Sequence, residues 1–180
     1  YGITPKLLKL RANELCRNLS TLFNVSFELG QFPATLKNAK VIPIYKAKSR
    51  LQASNYRPIS LLPIIGKVFE KIMHTCVYDF FTQQGLLINN QYGFQKNKST
   101  ELAILELQSN IVNAYENKET PCNIFLDFAK AFDTVNHKIL LKKLEYYGIR
   151  GAPLKWFDSY LHKRQQFVEV GNAKSEMENV

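Results

Sequence analysis

The sequence predicts an α+β fold, rich in helices and holding short antiparallel strands. Apolar residues recur at helical spacing in several stretches, each bounded by capping or breaking residues. A few short β-branched or apolar runs read as strands between them. The two kinds of segment follow one another without a regular strand–helix–strand alternation, which favours α+β over a parallel doubly wound sheet.

The elements follow in order. Thr4 then Pro5 reads as a helix N-cap followed by proline at the first helical position. Leu8, Leu15, Leu19, Leu22 and Phe23 continue the helical period, and Gly30 stops a helix expected to reach about Leu29. Lys40 to Tyr45 reads as a strand, with Pro43 assigning it to an edge or a bulge. A basic polar loop, 46–55, follows. Ile65, Phe69, Ile72, Cys76 and Phe80 mark a second amphipathic helix closed by Gly85. After a loop over 86–99, a third helix starts near Ser99 or Thr100, with Ile104, Leu107, Ile111 and Tyr115 on one face. Pro121 breaks the chain before Asn123 to Phe128, a buried-strand candidate. Asn136 to Tyr147 reads as a helix, with Leu140, Leu144 and Tyr147 inward and Gly148 as its cap. Pro153 begins another, with Leu154, Phe157 and Leu161 on its apolar face. Phe167 to Val170 is a strand, and Gly171-Asn172 a turn into one more.

The chain has 180 residues, 46% of them hydrophobic, enough for a real core in one domain or one and a half. The net charge of +9 suggests a polyanionic partner, against the plainer reading of a merely soluble basic protein. No Asp or Glu occurs between Glu28 and Glu70, an interval holding Lys37, Lys40, Lys46, Lys48, Arg50, Arg57 and Lys67. Such one-sided charge is expected where phosphates are gripped. The three cysteines, Cys16, Cys76 and Cys122, show no metal spacing. Cys16 and Cys76 fall among apolar helix positions, which predicts buried free thiols and a reducing, intracellular setting. No apolar run approaches membrane-spanning length, so no membrane partner is expected.

Asp127 is the sharpest chemical feature. Its neighbours are Ile124, Phe125, Leu126 and Phe128, and a carboxylate in an apolar strand is costly unless paired or metal-bound. The alternative is an aspartate that caps the following turn. Asp133 is a second carboxylate six residues on, read as a helix-capping residue in preference to a metal ligand. Phe132 is bulky enough to exclude a ribose 2′-hydroxyl from a bound nucleotide, though a lone Phe is more often core. Arg57 can grip phosphate in bidentate fashion, or be an ordinary turn arginine. The Gly93–Thr100 segment, with Lys96 and Lys98, opens onto a helix N-terminus suited to phosphate, as many loops do. His74, His137 and His162 read as core, cap and solvated residues. No GxSxG, HExxH or P-loop pattern occurs.

In combination the segments VIPIYK, NYRPISLLPIIGKVFEKI, NNQYGFQKNKST, FLDFAKAFDTVNHKILLKKLEYYGIRG and LKWFDSYLHKRQQFVEV are specific. Their order and spacing resemble the reverse transcriptases of LINE-type, non-LTR retrotransposons, from about Leu29 to Val180. The resemblance implies a right-hand polymerase: residues 1–36 a helical extension, 37–121 fingers, 122–180 a partial palm. It implies that Asp127 binds two catalytic Mg²⁺ ions, that the carbonyl of Phe128 helps hold one, and that Phe132 is a steric gate against ribonucleotides. Arg57 and Lys46 match residues that touch the incoming dNTP, and Gln95, Lys96 and Lys98 lie in a template-contacting loop. Partners implied are an RNA template, a DNA primer and further domains of one polyprotein: the rest of the palm, a thumb and possibly an endonuclease. A ribonucleoprotein in nucleus and cytoplasm is the expected location.

Two departures bear on template grip. Gln95 stands where the family often has Arg, and Asn97 where it often has Gly, although Asn can still adopt the left-handed backbone. The chain contains no Asp-Asp pair, which the family uses for its other metal-binding carboxylates. The chain therefore reads as a fragment, inactive when isolated. The alternative is a decayed or domesticated remnant that binds nucleic acid without catalysis.

Overall fold

The computed structural model describes residues 3–180. Its elements are α1 (Pro5–Leu10), α2 (Ala12–Leu29), β1 (Asn38–Tyr45), β2 (Tyr56–Leu61), α3 (Ile64–Gln83), α4 (Thr100–Glu116), α5 (His137–Tyr146), α6 (Gly151–Leu161), β3 (Gln165–Val170), β4 (Ala173–Lys174) and β5 (Glu178–Asn179). The chain forms two compact units, the first built from the residues up to Cys76 with Asn136–Val180, the second from Val77–Val135.

The first unit begins with the expected N-cap: Thr4 Oγ1 accepts from the Leu7 N–H at 3.2 Å. The single predicted helix is broken at Arg11, whose φ is −110°. The hydrogen-bond ladder continues through the break, since Arg11 N–H donates to the Leu7 carbonyl and Leu15 N–H to that of Arg11. Gly30 ends α2 in the left-handed conformation, φ +65°. It also permits a close approach, because a Cβ there would lie 2.8 Å from Lys155 Cβ and 2.9 Å from the Ala152 carbonyl oxygen in α6.

The sheet runs β2-β1-β3-β4, with β5 also on β3. β1 and β2 are antiparallel, and so are β3 with β4 and β3 with β5, in keeping with the expected short antiparallel strands, although the sequence reading includes neither β2 nor β5. β1 and β3 are parallel, which corrects the all-antiparallel expectation. The long, largely helical connection between them supplies the crossover that a parallel pair requires. Pro43 occupies a strand that is central at one end only. β3 pairs with residues 38–41 of β1, so Pro43 falls where β1 has only β2 beside it. It lies opposite Pro58. The hydrogen bond from Lys46 N–H to the Asn55 carbonyl sets the alternation so that Pro43–Pro58 is a non-hydrogen-bonded pair, and neither missing N–H breaks the ladder.

An aromatic cluster forms the core of this unit. Phe69 is fully buried and Trp156 is 1% exposed. Phe69 stacks on Phe23 at 4.3 Å between ring centroids and meets Phe27, Phe32 and Trp156 edge-on or tilted. Trp156 lies parallel to Tyr160 at 5.4 Å. Each such ring contributes about 1.5–3 kcal/mol by burial. Polar groups in the cluster are satisfied: Trp156 Nε1 donates to Ser26 Oγ at 3.1 Å, and that hydroxyl donates to the Gln31 carbonyl.

In the second unit, Gly85 (φ +62°) ends α3 as expected, and Ser99 caps α4 by accepting from the Leu102 N–H. α4 buries no residue fully. Its half-buried stripe is Ala103, Leu107, Ile111 and Ala114, whereas Ile104 and Tyr115, read as sharing one face with Leu107 and Ile111, are exposed. The predicted strand at Asn123–Phe128 is not formed. Residues 121–128 have no regular structure, and no sheet pairing among the described residues includes them. An apolar run becomes a strand only when a neighbour takes its N–H and carbonyl groups, and Ile124, Phe125, Leu126 and Phe128 are each about 80% exposed here.

Candidate functional site

The residues singled out above fall into two sets, one in each unit. In the first unit the set is the β1–β2 hairpin. Side chains alternate across a strand, and directly opposed residues share a face. Arg57 pairs with Ile44, and Lys46 extends the same register one pair beyond Tyr45–Tyr56. Arg57, Ile44 and Lys46 therefore stand on one face, with Arg57 and Lys46 exposed. Tyr45 and Tyr56 occupy the other face, their rings 5.6 Å apart. These tyrosines shape the basic loop. Tyr56 Oη donates to the Arg50 carbonyl at 2.9 Å, Asn55 Nδ2 donates to the Ser49 carbonyl at 2.7 Å, and the Arg50 guanidinium lies 5.2 Å from the Tyr45 ring centre. Neither tyrosine stood out in the sequence, although their offset predicts a cross-strand pair once the hairpin register is known.

The acid-free basic stretch divides into two kinds of residue. Lys37 is buried, and its ammonium donates to the carbonyls of Ser159 and, at 3.1 Å, His162 at the end of α6. There it serves as a cation at a helix C-terminus. Burial, then the charges of Arg164 and Lys163, hold its pKa below the ordinary lysine range, against the pull of Asp158. Lys40 pairs with Glu169 across β1 and β3. These two are structural, so the reading of the whole stretch as a phosphate grip is too broad. Arg57 and Lys46 have side chains uncommitted to any hydrogen bond or ion pair among the described residues.

In the second unit, the loop before α4 is tied down. Gln95 Nε2 donates to the Ile88 carbonyl at 3.1 Å, Lys96 N–H to Tyr78 Oη at 3.1 Å, and Lys98 Nζ to the Asn89 carbonyl at 2.8 Å. The Lys96 ammonium lies 4.8 Å from the Tyr78 ring centre and 4.0 Å from an Asp79 oxygen; that of Lys98 lies 4.6 Å from the Tyr92 ring centre. Asn97 adopts the left-handed backbone, φ +60°, as expected. Phe94 does so too, at φ +62°, which is costly for a bulky residue. The α4 N-terminus is less available to phosphate than predicted. Ser99 already occupies the Leu102 N–H, and a hydrogen bond with Ser99 is the main cause holding the Glu101 carboxyl below its ordinary range.

Asp127 and Phe128 lie in the irregular segment, exposed, with the Asp127 carboxylate in no hydrogen bond or ion pair among the described residues. The tight turn that follows is closed by Asp133 N–H and Thr134 N–H on the Lys130 carbonyl. Asp133 does not cap α5; Asn136 does, accepting from the Ile139 N–H at 3.2 Å. Phe132 projects from the turn, 78% exposed, and its ring meets that of Phe94 edge to face, centroids 6.0 Å apart. Asp127 and the Phe128 carbonyl are hard oxygen donors of the kind Mg²⁺ takes. They do not amount to a complete site: among the described residues no three His, Cys, Asp or Glu side chains are grouped to hold a metal.

The cysteines correct another expectation: Cys16, Cys76 and Cys122 are free and exposed. Cys16 opens onto an apolar groove of about 430 Å³ between α2 and α3, lined in part by Leu19, Phe23, Val68 and Ile72, which no other element among the described residues fills. The helix face was apolar as read, but it lacks a covering partner. His74 is exposed rather than core. His162 caps α6, its ring 6.1 Å from that of His137. Among the described residues, no helix is long and apolar enough to cross a membrane.

Comparison with known proteins agrees with the motifs. Residues 44–179 match the family described as reverse transcriptase (RNA-dependent DNA polymerase). The chain is 31% identical over 179 residues to the probable RNA-directed DNA polymerase from transposon BS of Drosophila melanogaster, covering 96% of this chain and 19% of that protein. It is 32% identical over 177 residues to the probable RNA-directed DNA polymerase from transposon X-element of the same species, with the same coverage. It is 29% identical over 179 residues to the RNA-directed DNA polymerase from mobile element jockey, covering 97% of this chain and 19% of that protein. The chain thus spans about a fifth of the length of these curated relatives.

Proposed function

The chain belongs to the reverse transcriptase family, among those of LINE-type, non-LTR retrotransposons, and from that premise we propose that it is the fingers and first part of the palm of an RNA-directed DNA polymerase. The activity is templated addition of dNTPs to a DNA primer on an RNA strand, completed by further domains of a longer protein. The observation that carries this reading is the run FLDFAKAFD, whose carboxylate at Asp127 stands exposed and, among the described residues, unpaired, five residues before a projecting Phe132.

The roles follow from the chemistry of each residue. Arg57 offers a planar fork for two phosphate oxygens, and Lys46, on the same hairpin face, adds a point charge. Phe132 presents a rigid apolar ring that a deoxyribose tolerates and a 2′-hydroxyl does not. The loop of Gln95, Lys96 and Lys98 meets the template backbone, with Lys96 the more exposed of its two cations. Asp127 and the Phe128 carbonyl supply oxygens to divalent cations, which when bound would offset phosphate charge in a two-metal reaction. The remaining carboxylates of that centre would have to come from outside the described residues. We assign residues 37–121 to the fingers and 122–180 to the palm, in a nuclear and cytoplasmic ribonucleoprotein.

The test is Asp127→Asn in the full-length polymerase, which keeps shape and removes charge. Primer extension should fall on the order of 10³-fold while RNA binding persists. Undiminished extension would remove Asp127 from the chemistry; RNA binding without extension in the unmutated protein would favour a non-catalytic remnant.

A further inference from the structure

Phe132 needs a rigid backing to act as a gate, because a freely turning ring yields to a hydroxyl at little cost. Its backbone is held by the 129–134 turn, where Asp133 N–H and the Thr134 hydroxyl both close on the Lys130 carbonyl. Its side chain is not packed into a core. The ring contact it makes among the described residues is with Phe94, edge to face at 88°.

Phe94 is itself an unusual residue. It is 86% exposed, yet its backbone is held at φ +62°, where a bulky side chain rarely sits. Hydrogen bonds on either side fix that conformation: Gln91 Nε2 donates to the Gly93 carbonyl, Gln95 Nε2 to that of Ile88, and Lys96 N–H to Tyr78 Oη. An anchored loop that holds an exposed phenylalanine in a costly conformation is a place to look for function. What the strain achieves here is to bring the Phe94 ring against Phe132.

We propose that Phe94 is a positioning residue for sugar discrimination, holding the Phe132 ring upright from the template-facing loop. The proposal rests on the reading of Phe132 as the gate. Nothing in it requires Phe94 to touch the nucleotide. It also gives the loop a second role beside template contact.

The experiment is a double-mutant cycle in the full-length polymerase. The readout is the ratio of kcat/KM for a dNTP to that for the matching rNTP on one RNA template. A ratio taken within one preparation is insensitive to the folded fraction, and truncating an exposed ring leaves the core intact. Phe94→Ala should lower the ratio about threefold to tenfold, the scale of an aromatic pair interaction. Phe94→Tyr, which keeps the ring edge, should restore it. In a Phe132→Ala background, Phe94→Ala should add nothing. If Phe132→Ala lowers the ratio and Phe94→Ala does not, or if Phe94→Ala acts equally in both backgrounds, the positioning role is wrong and the gate stands. If Phe132→Ala itself leaves the ratio unchanged, the gate reading fails first and the proposal falls with it.

Discussion

Gly30→Ala tests the central packing of the first unit. Gly30 has φ +65°, so any Cβ there incurs the left-handed penalty of roughly 1–2 kcal/mol. In addition the new methyl would sit 2.8 Å from Lys155 Cβ and 2.9 Å from the Ala152 carbonyl oxygen. Both lie on α6, so relief means moving a helix end, and overpacking of this kind costs roughly 1–3 kcal/mol more. The total is about 3 kcal/mol. Gly171→Ala is the internal control: its φ is +58°, it belongs to the same unit, and its added Cβ would meet nothing within 4 Å. It should lose only the backbone part, about 1–2 kcal/mol. Urea unfolding followed by intrinsic fluorescence reads the right place, since Trp156 is the chain's single tryptophan and lies buried in this core. Equal losses in the two variants would refute the close approach of α2 and α6.

Two further outcomes are expected. The Tyr160 hydroxyl is pushed up to about 12, first by burial and then by the Glu70 carboxylate, to which it donates at 2.8 Å. A raised folded pKa contributes stability that is fully present below the unfolded value of 10.0 and is lost as pH climbs toward 12, so stability measured by urea titration should decline over that window and Tyr160→Phe should flatten the decline. In the full-length polymerase, Arg57→Ala should raise the KM for dNTP roughly tenfold to a hundredfold, and Arg57→Lys should recover only part, lacking the fork; an unchanged KM would release Arg57 from nucleotide binding.

What could be read from the sequence was whatever is decided locally. Thr4 and Ser99 cap their helices by hydrogen bonds to residues three positions on, and Gly30, Gly85 and Gly171 take the left-handed turns expected of them; the cap before α5 was assigned to Asp133, whereas Asn136 fills it. Asn97 substitutes for glycine in the way its short side chain allows. Tertiary outcomes were less legible. The apolar period of α4 was visible, but which of its residues turn inward depends on partners distant in sequence. Trp156 heads the core through Ser26, 130 residues away, and no local pattern announces that pairing. The parallel alignment of β1 and β3 depends on a crossover of the same kind.

The basic stretch shows most clearly how structure refines a reading from composition. Seven cations between Glu28 and Glu70 look alike as a sum of charge. Folding assigns them different work through the acceptors each can reach. Lys37 finds the carbonyls at the end of α6, and Lys40 finds Glu169; a polyanion would have to displace those partners, and in the case of Lys37 would leave the part-buried carbonyls of Ser159 and His162 without their donor. Lys46 and Arg57 are placed by strand alternation on an open face, with the tyrosines that order the loop turned to the other side. Nothing in the described residues competes for them. The same reasoning applies to Asp127: its carboxylate, flanked by apolar residues, has no hydrogen-bond or ion-pair partner among the described residues, so its oxygens are open to a ligand.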